Sequence, residues 1–331
     1  MRYGGSRWPA ADAEGRTAHG GGASWRRPVG SATGAPVRHS GYASAWSAGD
    51  GERRRFANVV FAGGGNRCFW QAGFWSVAAA QLRLRPQRVA AVSAGAAIAC
   101  TVLAGDFHAG FGHYKRALAA NASNIHLHNL LRDRPVFPHG SMYRDTLLAS
   151  FDEQTLIRLK HGPDISILVS RPPAWASPGV ALLLGMIATS IDDWRGECVH
   201  TSAGSRVGFR PLFLPARDCP TPEALADLII ASSCVPPLTP QARHDGAPLF
   251  DGGFFSNVPA QGVAGAQGET LVLLTRRFSR LPVIAGRTYV QPSQPIPVAA
   301  WDYTNVGAVQ STFDLGRRDA ERFCTALRVS A

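Results

Sequence analysis

The sequence predicts an α/β fold built around a mostly parallel sheet, and three observations carry that prediction. A short apolar run, Val59 to Ala62, leads directly into three glycines, Gly63 to Gly65. A second run, Val89 to Val92, leads directly into Ser93 and the small residues Ala94, Gly95 and Ala96. Between the two, residues 66–84 hold neither acid nor proline and set Phe69, Gly73, Phe74, Val77 and Ala80 at helical spacing. Strand, glycine turn, helix, strand, serine and helix in that order make a βαβ unit, whose strands are parallel. In such sheets reactive groups gather where strands end and helices begin, and both special turns fall there.

The remaining elements follow from the same kind of reading. Residues 1–55 are rich in Gly, Ala, Ser and Arg, lack periodicity and end in Arg53-Arg54-Arg55. They read as a disordered basic arm or an over-extended start, with an electrostatic membrane tether as the functional alternative. One domain over 56–331 is expected, with a motif-bearing core at about 58–275 and a C-terminal helix over 304–327. Residues 94–103 read as a buried helix, 107–120 as a second, and 123–134 as a polar loop. That loop holds His126 and His128, but no third ligand stands at metal spacing. Asp164 to Ser170 reads as a core strand. Pro172, Pro173 and Pro178 frame Trp175, and the apolar run Val180 to Ile187 follows. That run fits a core helix, the lining of an acyl channel or an interfacial flap.

Val207 to Leu214 reads as a further strand. Thr221-Pro222-Glu223 is a helix start, with an N-cap, a proline at the first helical position and an early acid. The helix runs through Ile230 and stops at Pro236-Pro237. Leu249-Phe250-Asp251 ends a strand at Gly252-Gly253, Thr270 to Thr275 reads as the last core strand, and Val306 to Leu327 as an amphipathic helix.

Composition narrows the function classes. With 331 residues, 45% of them hydrophobic, the chain can bury a sizeable core. The formal charge of +11 comes almost wholly from arginine, since Lys115 and Lys160 are the only lysines. A basic surface suits anionic lipid headgroups or nucleic acid. No zinc-finger, RNA-binding or basic-helix signature accompanies it, so no nucleic-acid partner is expected. The six cysteines show neither close pairing nor metal-ligand spacing and read as small buried hydrophobes in a reducing compartment. The N-terminus has no apolar stretch of the signal-peptide kind, and Gly179 to Ala188 is too short to span a bilayer. The expected location is cytoplasmic, with peripheral membrane contact through the basic surface.

The serine turn can do chemistry. Ser93, wedged between a buried strand and a helix, fits the strained elbow that exposes a nucleophilic hydroxyl. Ala91 and Gly95 lie two positions to either side, where larger side chains would crowd the turn. Gly63 to Gly65 supply backbone donors that can approach a developing oxyanion closely. A serine needs a base, and in the α/β-hydrolase order a histidine comes last. Here the last histidine is His244, between Arg243 and Asp245, and it reads as a polar loop residue. Asp251, at a strand end followed by two glycines, is the better candidate, because partial burial raises carboxylate basicity.

These residues also carry a resemblance. Gly63-Gly64-Gly65-Asn66-Arg67, the small-x-Ser-x-Gly around Ser93, and Asp251-Gly252-Gly253 with Asn257-Val258-Pro259 resemble the three blocks of the patatin-like phospholipases. The run Ala231 to Pro236 resembles the helix end before that family's Asp-Gly block. Three blocks in order over 58–275 make the likeness specific. It implies a three-layer α/β/α sandwich and a lipid acyl hydrolase of the phospholipase A or lysophospholipase type, with a Ser-Asp dyad. Under it, Ser93 is the nucleophile and Asp251 the general base. Gly63, Gly64 and Gly65 form the oxyanion hole, Arg67 holds that loop, and Ala91, Gly95, Gly252 and Gly253 support the turns. No metal or other cofactor is implied, and the partner is a lipid or lysophospholipid substrate. Two departures stand out: Ala91 and Cys68 occupy positions where the family usually has glycine.

Two rival readings come from other classes. A nucleotide-binding βαβ unit would want glycine at position 68 and an acid about twenty residues on. Cys68 fills the first position, and no Asp or Glu occurs between Asn66 and Gly105. A catalytically silent lipid binder of the same fold is the second rival, and the presence of both Ser93 and Asp251 speaks against it.

Overall fold

A computed structural model describes residues 55–329, apart from 105–106, 133–134, 196–198 and 201–202; the expected N-terminal arm lies outside the described residues. Strand β1 (Asn58–Phe61) is buried at every position and pairs in parallel with β2 (Arg88–Val92) on one side and β7 (Thr270–Leu273) on the other. Its alternation builds two cores. Val59 and Phe61 pack with Trp70 and Phe74 of α1 (Phe69–Gln81) and Phe313 of α9 (Val306–Val329). Val60 and Ala62 face the other way, against Val258, Val263 and Phe278. A strand apolar on both faces belongs at the centre of a covered parallel sheet.

Among the described residues the sheet has eight strands in the order β5 (Ala242–His244), β6 (Ala247–Asp251), β3 (Asp164–Arg171), β2, β1, β7 and β8 (Arg287–Val290), with β4 (Arg210–Pro215) also on β3. Strand β8 (Arg287–Val290) runs parallel to β7, so Thr270 to Thr275 is not the last strand. Its half-buried Arg-Thr-Tyr sequence, at the sheet edge, lacks the apolar run that marks the central strands. On the other flank β3 (Asp164–Arg171) is parallel to β2, and β4 (Arg210–Pro215) is antiparallel to β3. The strand expected from Val207 starts later, because Gly208 takes a φ of 99° in a turn.

One pairing decides where the functional residues fall. Residues 166–168 of β3 pair with β2 on one edge and β4 on the other. Val169 and Ser170 keep β4 but pair with Asp251 and Phe250 of β6 (Ala247–Asp251). Strand β6 therefore takes up the edge of β3 that β2 vacates, and the two strands end head to head. β6 is brought there by a hairpin from β5 (Ala242–His244). Asp245 and Gly246 turn it with φ values of 50° and 79°, the two left-handed residues a tight hairpin needs. His244 is thus a buried strand residue rather than the polar loop residue expected from its charged neighbours.

Helices cover both faces of the sheet. On the α1 face lie α2 (Ala94–Ala104), α3 (Phe107–Ala120), α4 (His139–Ser150), α5 (Glu153–His161) and α8 (Pro222–Ser232). Helix α5 starts at an Asp152 cap, whose Oδ1 accepts the Thr155 N–H at 2.7 Å. The loop expected over 123–134 contains a 3-10 turn, Leu127–Arg132. On the opposite face α6 (Pro178–Arg195) packs Ala181 against Phe209, Phe250 and Phe254, next to the short α7 (Ala203–Arg206). The result is an α/β/α sandwich around a mostly parallel centre. Among the described residues no helix is long and apolar enough to cross a membrane.

Candidate active site

Ser93 occupies the single residue between β2 and α2 and has a φ of 54°. For a residue with a Cβ this left-handed backbone costs roughly 1–2 kcal/mol, so the surroundings must enforce it. They do. The Ser93 N–H donates to Ser232 Oγ at 2.7 Å, and that hydroxyl donates to Leu168 O at 2.6 Å. On the far side, a Cβ at Gly95 would collide with the carbonyl oxygen of Ala62. Ala91 is wholly buried in β2.

The Ser93 hydroxyl, 6% exposed as a residue, donates to Asp251 Oδ2 at 2.8 Å. The other carboxylate oxygen, Oδ1, accepts the Gly253 N–H at 2.7 Å. Burial pushes the Asp251 carboxyl up to about 6, although the Gly253 and Ser93 hydrogen bonds pull the other way. A Cβ at Gly252 would strike Leu168 O, which explains the glycine there. The carboxylate is therefore aimed, half-solvated by hydrogen bonds and basic enough to take a proton near neutral pH.

The glycine turn sits opposite. The peptide of Gly63 is fully engaged: its N–H donates to Asn257 O at 3.0 Å, and its carbonyl accepts from Asn257 Nδ2 at 3.2 Å and from the Thr275 hydroxyl. Gly64 O accepts the Arg67 N–H at 3.2 Å and the Arg67 Nε–H at 3.3 Å, so backbone and side chain of Arg67 meet on one carbonyl. Gly65 adopts a φ of 55°, and a Cβ there would collide with the carbonyl of Ala300. After it comes a 3-10 turn, Gly65–Cys68, before α1 begins, so the helix expected from Asn66 starts at Phe69. Cys68 fits this turn by pointing its Sγ at Ala62 O, 3.6 Å away. Burial pushes the Cys68 thiol far up, which leaves it protonated and poorly nucleophilic.

Gly64, Gly65, Arg67, Ser93, Asp251 and Gly253 all line one cleft of about 340 Å³. Gly63 does not line it, and among the described residues neither does any histidine. Apolar walls come from Met186, Leu238, Phe254, Phe278 and Trp301. The positive end of the α2 dipole points at the Ser93 turn. His126 and His128 lie elsewhere, His126 bonded to Asn121 at 2.8 Å. Sequence reading missed the supporting groups Ser232, Asn257 and Thr275. All three stood in stretches that had drawn attention, Thr275 as the end of a strand, and none had been given a role.

The sequence matches the family model described as patatin-like phospholipase over residues 59–264. That match spans more than half of the chain and holds every residue discussed above from Val59 to Val263, so the protein belongs to the patatin-like phospholipase family. At family level this makes it a lipid acyl hydrolase. No curated protein matches the sequence.

Proposed function

We propose that the protein cleaves carboxylic esters of phospholipids or lysophospholipids through a Ser93–Asp251 dyad and an acyl-enzyme intermediate. The hydrogen bond from Ser93 Oγ to Asp251 Oδ2, 2.8 Å long, is the observation that carries this reading. In the first half-reaction Asp251 takes the serine proton as Oγ attacks the ester carbonyl carbon. The negative charge gathers on the carbonyl oxygen, where the N–H groups of Gly64 and Gly65 act as donors. Gly63, whose N–H is spent on Asn257 O, serves as the anchor of that loop. Collapse of the tetrahedral intermediate breaks the bond to the alcohol, which leaves with the proton held by Asp251. In the second half-reaction Asp251 takes a proton from water, the hydroxide attacks the acyl carbon, and the fatty acid departs as Ser93 recovers its hydrogen.

The acyl chain lies along Leu238, Phe254 and Phe278, an apolar wall that stabilises binding at about 25 cal/mol per Å² of surface removed from water. Arg67 rims the same cleft and holds the oxyanion loop from its side-chain nitrogen. Covalent labelling tests the nucleophile. A fluorophosphonate probe should modify the peptide that contains Ser93, and Ser93→Ala should abolish the adduct. Labelling of a different serine with equal speed would defeat the assignment.

A further inference from the structure

Helix α6 meets the protein mainly through small residues: Ala181 and Ala188 are buried, a Cβ at Gly185 would collide with the Phe254 ring, and half-buried Leu182 and Leu184 pack beside them. Its large apolar residues Val180, Leu183, Ile187 and Ile191 sit at helical spacing on the outside, with Leu183 59% exposed. A helix held only by its own sheet would bury these side chains and expose the small ones. Trp175, 72% exposed, extends the patch at the N-terminal end of the helix.

A second exposed apolar segment spans residues 125–131. Ile125, Leu127, Leu130 and Leu131 are exposed, Leu131 to 93%. This segment is tied to the cleft wall through Asn124, whose Oδ1 accepts the Tyr303 N–H at 2.8 Å, two residues beyond Trp301. Met186 of α6 and Trp301, beside the residue that Asn124 holds, both line the cleft and are both exposed, which sets the two segments near its mouth. Exposed apolar surface of this kind marks a binding face.

Charge identifies the occupant. No charged residue occurs from Pro178 to Ile191, and no acid from Asn121 to Leu131. Exposed Arg171 and Arg210 stand opposite each other in the β3–β4 register, at the sheet end that leads to Trp175, and exposed Arg206 lies on the neighbouring α7. Two acids beside these segments are engaged by backbone: half-buried Asp192 accepts the Ala203 N–H at 3.1 Å, and half-buried Asp302 accepts the Thr304 N–H at 3.0 Å. An uncharged apolar face with cations at its border matches an anionic bilayer, acyl tails under the leucines and headgroups against the arginines.

We propose that the outer face of α6, together with residues 125–131, docks the protein on an anionic lipid surface with the cleft mouth against the bilayer. The inference rests on the lipid hydrolase reading and adds to it the surface from which substrate is taken. The test uses the full chain carrying Ser93→Ala, so that vesicles are bound but not consumed. This protein should sediment with phosphatidylcholine vesicles containing about 30 mol % phosphatidylglycerol, and far less with phosphatidylcholine alone or at high salt. Leu183→Glu with Ile187→Glu, and separately Leu130→Glu with Leu131→Glu, should each lower the partition at least about tenfold.

In the Ser93 background, the same variants should hydrolyse a monomeric short-chain ester within about twofold of the parent, with an unchanged melting temperature. Vesicle binding by the glutamate variants equal to the parent's would overturn the proposal, as would failure of the parent to bind at all. A parent dimer that the glutamate changes convert to monomer would assign the face to a second copy instead. Normal vesicle binding without any ester turnover would leave the surface standing and refute the hydrolase.

Discussion

Val92 and Asp251 end two different strands against adjacent positions of β3: Val92 registers with Leu168, and Asp251 with Val169. One strand arrives parallel to β3 and the other antiparallel, so their ends meet and Ser93 stands within hydrogen-bond reach of Asp251. The Ser93–Asp251 geometry is therefore a property of sheet pairing. Residues 158 positions apart are set by the same stretch of β3, and neither depends on a long loop. A site carried on rigid strands holds its geometry more closely than one carried on loops.

The raised basicity of Asp251 sets a pH profile. Its carboxyl titrates at about 6, and only the ionised form can take the serine proton. For a soluble short-chain ester kcat/KM should rise about tenfold per pH unit below that value and level off above it. A profile flat from about pH 4 to 8 would exclude a carboxylate base of this kind.

The same burial has a stability consequence. A carboxyl whose pKa is raised on folding, here from 3.8 to about 6, destabilises the fold once it ionises. Its contribution is lost as pH rises from about 4 to about 6 and stays lost above. Asp251→Asn keeps the shape and can still accept from Gly253, so it should stabilise the protein at pH 8 by on the order of 3 kcal/mol. The gain should shrink towards nothing near pH 4. Urea unfolding at the two pH values measures it, and an equal gain at both would point to a cause other than ionisation.

Ser232 holds the elbow from behind. Removing its hydroxyl leaves both the Ser93 N–H and the Leu168 carbonyl without this partner in a buried site. Ser232→Ala should cost about 2–4 kcal/mol in urea unfolding and lower kcat more than it raises KM, because the strained turn loosens. A variant as stable as the parent would show that this bridge does not enforce the turn.

Much of this arrangement was legible in the sequence for local reasons. Ser93, Asp251 and the glycines sit directly after apolar runs, and the residue types at strand ends announce the turns they make. The sandwich itself followed from those runs and from the family likeness. What was not legible is what other elements contribute. Thr275 and Asn257 act on the backbone of Gly63 through contacts across the sheet, and no local pattern marks a hydroxyl that will meet a distant carbonyl. Strands β5 and β8 lack apolar alternation because they are short edge elements. In α6 the apolar run was plain, but which side is buried depends on Gly185 and the alanines fitting close to Phe254. The spacing of Ala181, Gly185 and Ala188 was the available sign.

The most direct measurement compares ester hydrolysis by the full chain with that by Ser93→Ala and Asp251→Asn, on short-chain esters and on phospholipid vesicles. The dyad predicts that both variants lose at least about a thousandfold in kcat while melting as folded proteins. Retention of the parent rate by Ser93→Ala would contradict it.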